Sequence, residues 1–298
     1  MKTPRLPRGS ALLLVLWALI LLSGAVLAYA KWIQADIILH GHSNREIEAR
    51  AMAHSGLAVA LHELVSERTE NLDEDLAGDL GFRLRMVSEG GKLNLKFLIE
   101  GEQPERIVIL KLWLERRGLD YKQRESFVDS LLDYVDGDDI KRLNGIEEAD
   151  DYHPPNRMIE DLDEIELVAN SAPLARSPGW KDDLTIFSQG PIDLSAANED
   201  VLRLLGLGDA YIQRFLQIRR GRDGADGTPD DFQFRNLREI QSYLGMSDAQ
   251  FQRYNGLVTN KDETLRIISE GRSGNATRQV EVVVRKGGAN PQILLWKE

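Results

Sequence analysis

An apolar, uncharged run over residues 10–30, preceded by Lys2, Arg5, Arg8 and Gly9 and ended by Lys31, constrains this chain more than any other feature. As a helix rising roughly 1.5 Å per residue it is about 31 Å long, close to the hydrocarbon thickness of a bilayer. Basic residues before the run, and no charge inside it, predict an amino end on the cytoplasmic side and the long remainder across the membrane. Three fates of the segment fit these residues. It stays as an anchor; it is removed as a secretory signal after the small residues Ala28 and Ala30; or the chain is cut at Gly9, which discards the basic leader and keeps the apolar helix.

The rest of the chain, roughly 265 residues, is long enough for a sizeable core and two modules. It contains no cysteine, which excludes disulfides, thiolate metal ligands and a cysteine nucleophile. A net charge of −11 disfavours nonspecific binding to a phosphate backbone, so nucleic acid is not an expected partner. Carboxylates are oxygen ligands for hard cations, which makes calcium a better candidate than zinc.

Beyond Lys31, Ile33, Ile37, Ile47, Ala51, Leu57, Leu61 and Leu64 alternate with charged residues at helical spacing, so the apolar helix is expected to continue to about Ser66. Near Gly81 the period changes to two. Phe82, Leu84 and Met86 alternate with Arg83, Arg85 and Val87; Gly90 and Gly91 mark a turn; Leu93 and Leu95 resume the alternation. Leu265, Ile267, Val280, Val282, Val284, Ile293 and Leu295 give the same signal before Trp296. The early hairpin and the late strands are expected to form one antiparallel sheet against the long helix.

Between them strand signals nearly vanish, and helices are expected over 105–117, 122–135, 158–169, 198–205, 209–219, 236–244 and 247–255. Asn236 with Glu239 and Ser247 with Gln250 have capping-box spacing. The fold class is therefore α+β: a long N-terminal helix packed on an antiparallel sheet, with a large all-α domain inserted. The expected segments are a leader over 1–9, a transmembrane part over 10–30, the outer helix and first strands over 31–99, the helical insertion over 100–260 and the closing strands over 261–298.

Acidic residues concentrate at Asp133, Asp136, Asp138 and Asp139, followed by Glu147, Glu148, Asp150 and Asp151. A tight turn at Gly137 can bring Asp136 and Asp138 together, and a loop through Gly145 can return Glu147 or Glu148 to them. The pattern does not fill an EF-hand loop, so a cation site and a solvated acidic loop both remain open. A second possible metal loop carries Asp223, Asp226, Asp230 and Asp231 around Gly224 and Gly227; a plain surface connection has the same composition. The histidines His40 and His42 do not share a helical face, so they do not suggest zinc. No nucleophile elbow, zinc-protease helix, dinucleotide fingerprint or phosphate loop occurs, and no catalytic residue is assigned. Residues 191–219 resemble a helix-hairpin-helix unit, read as a protein-contact element because of the surrounding acidic charge.

Taken together, the leader ending in Gly9, the apolar helix, the turn at Gly91-Lys92-Leu93-Asn94-Leu95, the helical insertion and the strand ending at Trp296 resemble the K-type minor pseudopilin of bacterial type II secretion. The segment Tyr134-Val135-Asp136-Gly137-Asp138, with Gly145-Ile146-Glu147 and Tyr152, resembles that family's acidic segment, with Tyr134 in place of tryptophan and Ile146 in place of alanine. Residues 192–197 resemble a degraded form of its Asn-rich hairpin motif.

The resemblance implies cleavage between Gly9 and Ser10 by a prepilin peptidase, and methylation of the new amino terminus. It also implies a tip position, because Leu14 stands where most pilin-like proteins carry a glutamate that pairs with the preceding subunit. A first subunit has no predecessor, and an unpaired carboxylate in lipid is costly. The implied partners are the I-type and J-type minor pseudopilins and other type II secretion components, in a complex that initiates or caps a periplasmic pseudopilus and supports export of folded proteins. The implied cofactor is structural calcium held around Asp136, with Asp133, Asp138, Glu147 and Asp151 as further ligands. The competing expectation is a minor subunit of a type IV pilus or another membrane-anchored envelope assembly.

Overall fold

A computed structural model describes residues 10–62, 71–76, 78–149, 151–286 and 291–298, with the side chains of 10, 11 and 35–43 left undescribed. The leader, Asp150, the expected turn at 287–290 and the expected helical residues 63–66 lie outside the described residues.

Helix α1, Ser10–Leu61, is continuous over 52 residues, about 78 Å at the standard rise of roughly 1.5 Å per residue. Its first half is long and apolar enough to cross a membrane: Leu12–Gln34 has mean hydropathy 2.5 and none of it is buried within the chain. Its second half lies on a five-stranded antiparallel sheet of order β1-β2-β7-β8-β9, formed by β1 (Leu72–Asp75), β2 (Leu80–Ser88), β7 (Thr264–Ser273), β8 (Ala276–Arg285) and β9 (Gln292–Lys297).

The contact between α1 and the sheet runs through small residues. Ala49, Ala53, Leu57 and Ala60 are buried at helical spacing, whereas Ile47 and Ala51, expected on the inner face, are exposed. The reason lies across the interface. A Cβ on Gly271 of β7 would fall 1.9 Å from the Ala49 carbonyl oxygen, and one on Gly56 would fall 2.3 Å from Ser269 Oγ. The helix backbone therefore sits directly on the strand, and bulk at either glycine would push the layers apart. Phe82, Leu84, Met86, Leu265, Ile267, Val280, Val282 and Val284 complete this core from the sheet side, each large side chain contributing roughly 1.5–3 kcal/mol on burial.

The alternation of β2 is as expected, but its hairpin partner is different. β1 precedes it and pairs Leu72–Asp75 with Gly81–Leu84. Leu93 and Asn94 form β3, which leaves the sheet and pairs in parallel with β4 (Leu184–Thr185). Leu95 begins helix α2 (Leu95–Ile99), because the Asn94 side chain accepts from the Phe97 amide and caps it. The double glycine thus marks the exit from the sheet.

The inserted domain follows with α3 (Pro104–Arg116), α4 (Tyr121–Val135), α5 (Ala172–Ala175), β5 (Ile192–Asp193), α6 (Glu199–Arg203), α7 (Asp209–Arg219), α8 (Leu237–Tyr243), α9 (Asp248–Gln252) and β6 (Val258–Thr259). The expected helix over 158–169 is only a 3-10 segment, Leu162–Leu167, opened by an Asp161 capping box; its six residues already exceed the usual run of about three or four for the tighter helix. β5 and β6 pair in parallel. Trp113, Phe127, Leu131, Ile159 and Phe215 belong to a core separate from that under α1.

The modules join where the insertion leaves and returns. The Glu89 amide donates to the Thr264 carbonyl at 2.9 Å, and the Asp193 amide donates to the Gly90 carbonyl at 2.8 Å. Glu89, fully buried, accepts from Arg266 Nε at 2.6 Å, from Lys92 Nζ at 3.1 Å and from the Thr185 hydroxyl. Burial alone would raise its pKa, but these partners outweigh it and hold the carboxyl below its ordinary value.

Candidate functional site

The acidic segment forms a buried cluster at the carbonyl end of α4. Asp133 lies in the last helical turn and is fully buried, and Asp136 is the C-cap. Negative charge at this end opposes the helix dipole, so the cluster requires a cation. Arg142 supplies one. Its Nη1 donates to Asp133 Oδ1 at 2.8 Å and to Asp136 Oδ2 at 2.5 Å, its Nη2 donates to Glu102 Oε1 at 2.6 Å, and its amide donates to Asp133 Oδ1 at 3.2 Å. Burial disfavours the guanidinium charge, yet the hydrogen bonds it donates to Asp133, Asp136 and Glu102 prevail and raise its pKa.

Gly145 closes the loop over the cluster. A Cβ there would lie 2.0 Å from Asp133 Oδ2, so the return of the chain to Glu147 depends on the missing side chain. Glu147 is 6% exposed, and both of its carboxylate oxygens, with Asp136 Oδ1, are buried without a hydrogen-bond partner. Burial first, then the charges of Asp133, Asp136, Asp139 and Asp138, hold the Glu147 carboxyl above its usual range. Asp133, Asp136 and Glu102 thus share one guanidinium, and the Glu147 carboxyl lies buried beside them.

Of the expected ligands, Asp133, Asp136 and Glu147 come together. Asp138 instead accepts from the Ile140 amide at 2.8 Å on an exposed turn, and Asp151 is exposed beside the Ala149–Tyr152 bridge. Among the described residues no group of three or more acidic or histidine side chains is arranged to hold a metal ion. The carboxylates are oxygen donors of the kind hard cations prefer, and the Arg142 guanidinium already binds two of them, Asp133 and Asp136.

The second acidic loop spends its carboxylates internally. Asp226 pairs with Arg219 and Arg220, each at 2.9 Å. Asp230 Oδ2 accepts from the Arg222 amide at 2.6 Å and its Oδ1 from the Thr228 hydroxyl at 2.9 Å. Asp231 accepts from the Gly227 amide at 2.7 Å, and Asp223 from the Ala225 amide at 2.8 Å. These are the bonds of a self-capped surface loop.

Gly9 lies outside the described residues, Ser10 opens α1, and Leu14 is 71% exposed on it. The hairpin over 192–197 is inward-facing at the junction. Asp193, buried, accepts from the Ser195 amide at 2.9 Å and hydroxyl at 2.6 Å and from the Asp262 amide at 3.0 Å. Of the five histidines, His54 stacks on Trp296 and pairs with Glu298 at 3.1 Å, tying the last strand to α1. A cleft of about 570 Å³ between Gln103, Arg106, Arg253 and Leu257 brings together no nucleophile with a base.

Sequence reasoning missed Arg142 and Glu102. A lone Lys141-Arg142 pair inside an acidic stretch was the available signal for the first; the second reaches the cluster from 40 residues away and leaves none.

No family model matches the sequence, and no curated protein matches it. Among solved structures, the chain is similar to a chain in the crystal structure of the GspK-GspI-GspJ complex from the enterotoxigenic Escherichia coli type 2 secretion system, with a TM-score of 0.59 and 11% identity. The likeness covers 91% of this chain and 98% of that one, so it extends across the inserted helices as well as the helix-on-sheet unit. At that identity the likeness is one of fold alone.

Proposed function

We propose that this chain is a K-type minor pseudopilin of type II secretion, anchored through α1, that joins I-type and J-type minor pseudopilins at the tip of a periplasmic pseudopilus. The observation that supports the reading most is the bulky helical domain inserted between β2 and β7 of a pilin-like unit. Subunits that stack in a helical filament must present compatible surfaces above and below, and a domain of this size is accommodated more easily at an end. Leu14 agrees with that position, since no carboxylate stands there to bind a preceding subunit. The role is structural, not catalytic.

Intact-mass and amino-terminal analysis of protein recovered from membranes, with the other secretion components present, tests the reading. A mature chain beginning with methylated Ser10 is expected; one beginning after Ala30 excludes it. A minor subunit of a type IV pilus would be processed alike and is separated from this reading by its partners.

The reading includes structural calcium at the acidic cluster. Asp133, Asp136 and Glu147 would hold the ion, which would complete the charge at the end of α4 and supply a partner for the unpaired Glu147 oxygens. Titration of the full chain with calcium chloride in a calorimeter should give saturable binding, weakened when Asp136 is changed to Asn and Glu147 to Gln. A flat titration removes calcium from the account.

A further inference from the structure

We propose that the outer edge of β9 is a docking edge for one strand of a different membrane-anchored subunit, which stands beside this chain with its own helix running the same way as α1. The inference rests on the pseudopilin reading above and names the surface through which the partners of that reading attach.

The sheet has two edges, and they are built differently. β1 is four residues long and follows Leu72 with three carboxylates. Asp73 and Asp75 bind Arg272, and the Asn71 amide just ahead of the strand already donates to the Gly227 carbonyl at 3.0 Å. Short length and charge keep an edge from pairing. β9 is longer, carries four apolar residues in a row, Ile293 to Trp296, and has a single charge, Lys297 at its end. Its inner ladder is interrupted once, by a bulge at Val283 and Val284, and is regular on either side. Among the described residues, the backbone of β9 has no partner other than β8. An open row of backbone donors and acceptors is satisfied by another strand.

The flanking surface is apolar as well. Ile293 and Trp296 stand opposite Val284 and Val282, which are buried under α1, so both lie on the helix side of the sheet. They are nevertheless 51% and 44% exposed. On α1, Arg50 and His54 reach Glu298 at the end of β9. Ile47, three and seven residues before them, extends that stripe and is 65% exposed. A strand added to β9 would cover Ile293 and Trp296 from the side that the chain leaves open.

Strand direction selects the occupant. Gly271 of β7 lies against Ala49 and Ala53, and Ser269 lies against Gly56, so β7 runs opposite to α1. Through the antiparallel ladders, β9 and β1 run the same way as β7. Antiparallel pairing of β9 with a second β9 would turn the partner's α1 end for end, and two such helices cannot enter one bilayer from the same side. A second copy in the same orientation would have to offer β1 instead. Its three carboxylates would then face the apolar centre of β9 and lose their water without gaining a counter-charge. A different subunit, apolar at the centre of its edge strand and acidic where it meets Lys297, satisfies both the direction and the charge.

The test uses the full chain in detergent, alone and co-expressed with the I-type and J-type minor pseudopilins. Hydrogen exchange read by mass spectrometry should show the outward amides of residues 292–297 slowing by at least about tenfold in the complex, as when a free edge joins a ladder. Residues 72–75 should exchange alike in both samples. A photo-crosslinking phenylalanine analogue at Gln292 should couple to another subunit. Ile293→Lys, a charge on an exposed position, should lower the share of this chain recovered in the complex several-fold, whereas Glu74→Lys on β1 should leave it unchanged.

A complex that forms with the exchange of β9 unaltered, or a crosslink joining two copies of this chain, overturns the inference and leaves the pseudopilin reading standing. Protection of β1 in place of β9 overturns it in the same way. If no complex forms with the native chain, the pseudopilin reading falls and the docking edge with it.

Discussion

Glu89 is fully buried where the sheet passes into the helical domain, and its charge is retained only because Arg266, Lys92 and Thr185 surround it. Removing one partner of a buried pair leaves the others uncompensated. Glu89→Gln is therefore expected to destabilise the full chain by about 3 kcal/mol at neutral pH, measured by urea unfolding in detergent. The pH dependence follows from the lowered folded pKa of this carboxyl. The folded state binds its proton less readily than the unfolded state, so the stabilisation is fully present above the ordinary value of 4.5 and is lost as pH falls through the lower folded value. The gap between native and Glu89→Gln should narrow accordingly in acid; a gap independent of pH would show that the charge is not what matters. Neither Glu89 nor Arg142 was legible as a key residue in the sequence. Their roles depend on partners such as Arg266 and Glu102, which lie 177 and 40 positions away, and a local pattern carries no record of such distances.

Among elements, α1 states its role most plainly. Its membrane-crossing length was readable from the absence of charge, and the alternation of Phe82, Leu84 and Met86 gave β2 because one face of that strand meets α1 and the other meets solvent. The inward stripe of α1 was not readable. Periodicity favoured Ile47 and Ala51, but the close approach at Gly271 selects Ala49 and Ala53 instead. β1 was missed because its strand Leu-Asp-Glu-Asp has almost no apolar face, as befits a short edge strand protected by charge. Asp73 and Asp75 hold Arg272 there at 2.8 and 2.7 Å. The helix also carries the element-scale prediction. If α1 crosses the bilayer and the chain stands at a filament tip, as proposed, Leu14→Glu places a carboxylate in lipid with no preceding subunit to pair it, an expected penalty of about 2.5 kcal/mol. Recovery of this chain with its partners from membranes, scored by quantitative mass spectrometry, should fall. Unchanged recovery would mean that Leu14 has no bearing on position.

At the scale of the molecule, two cores meet at a junction of buried carboxylates and glycines, one under α1 and the other inside the helical domain. That division was visible in the sequence as a change of period near Gly81 and again near Leu265, because sheet and helix leave different spacings of apolar residues. The acidic cluster was visible as composition but not as geometry, since Gly145 and Arg142 decide which carboxylates meet. The central claim is that one copy of this chain ends a pseudopilus. Native mass spectrometry of the full chain, co-expressed with the I-type and J-type minor pseudopilins and extracted in detergent, tests it most directly. One copy of each subunit in a single complex is the predicted result; a complex containing several copies of this chain stacked on one another, or no complex at all, would contradict it.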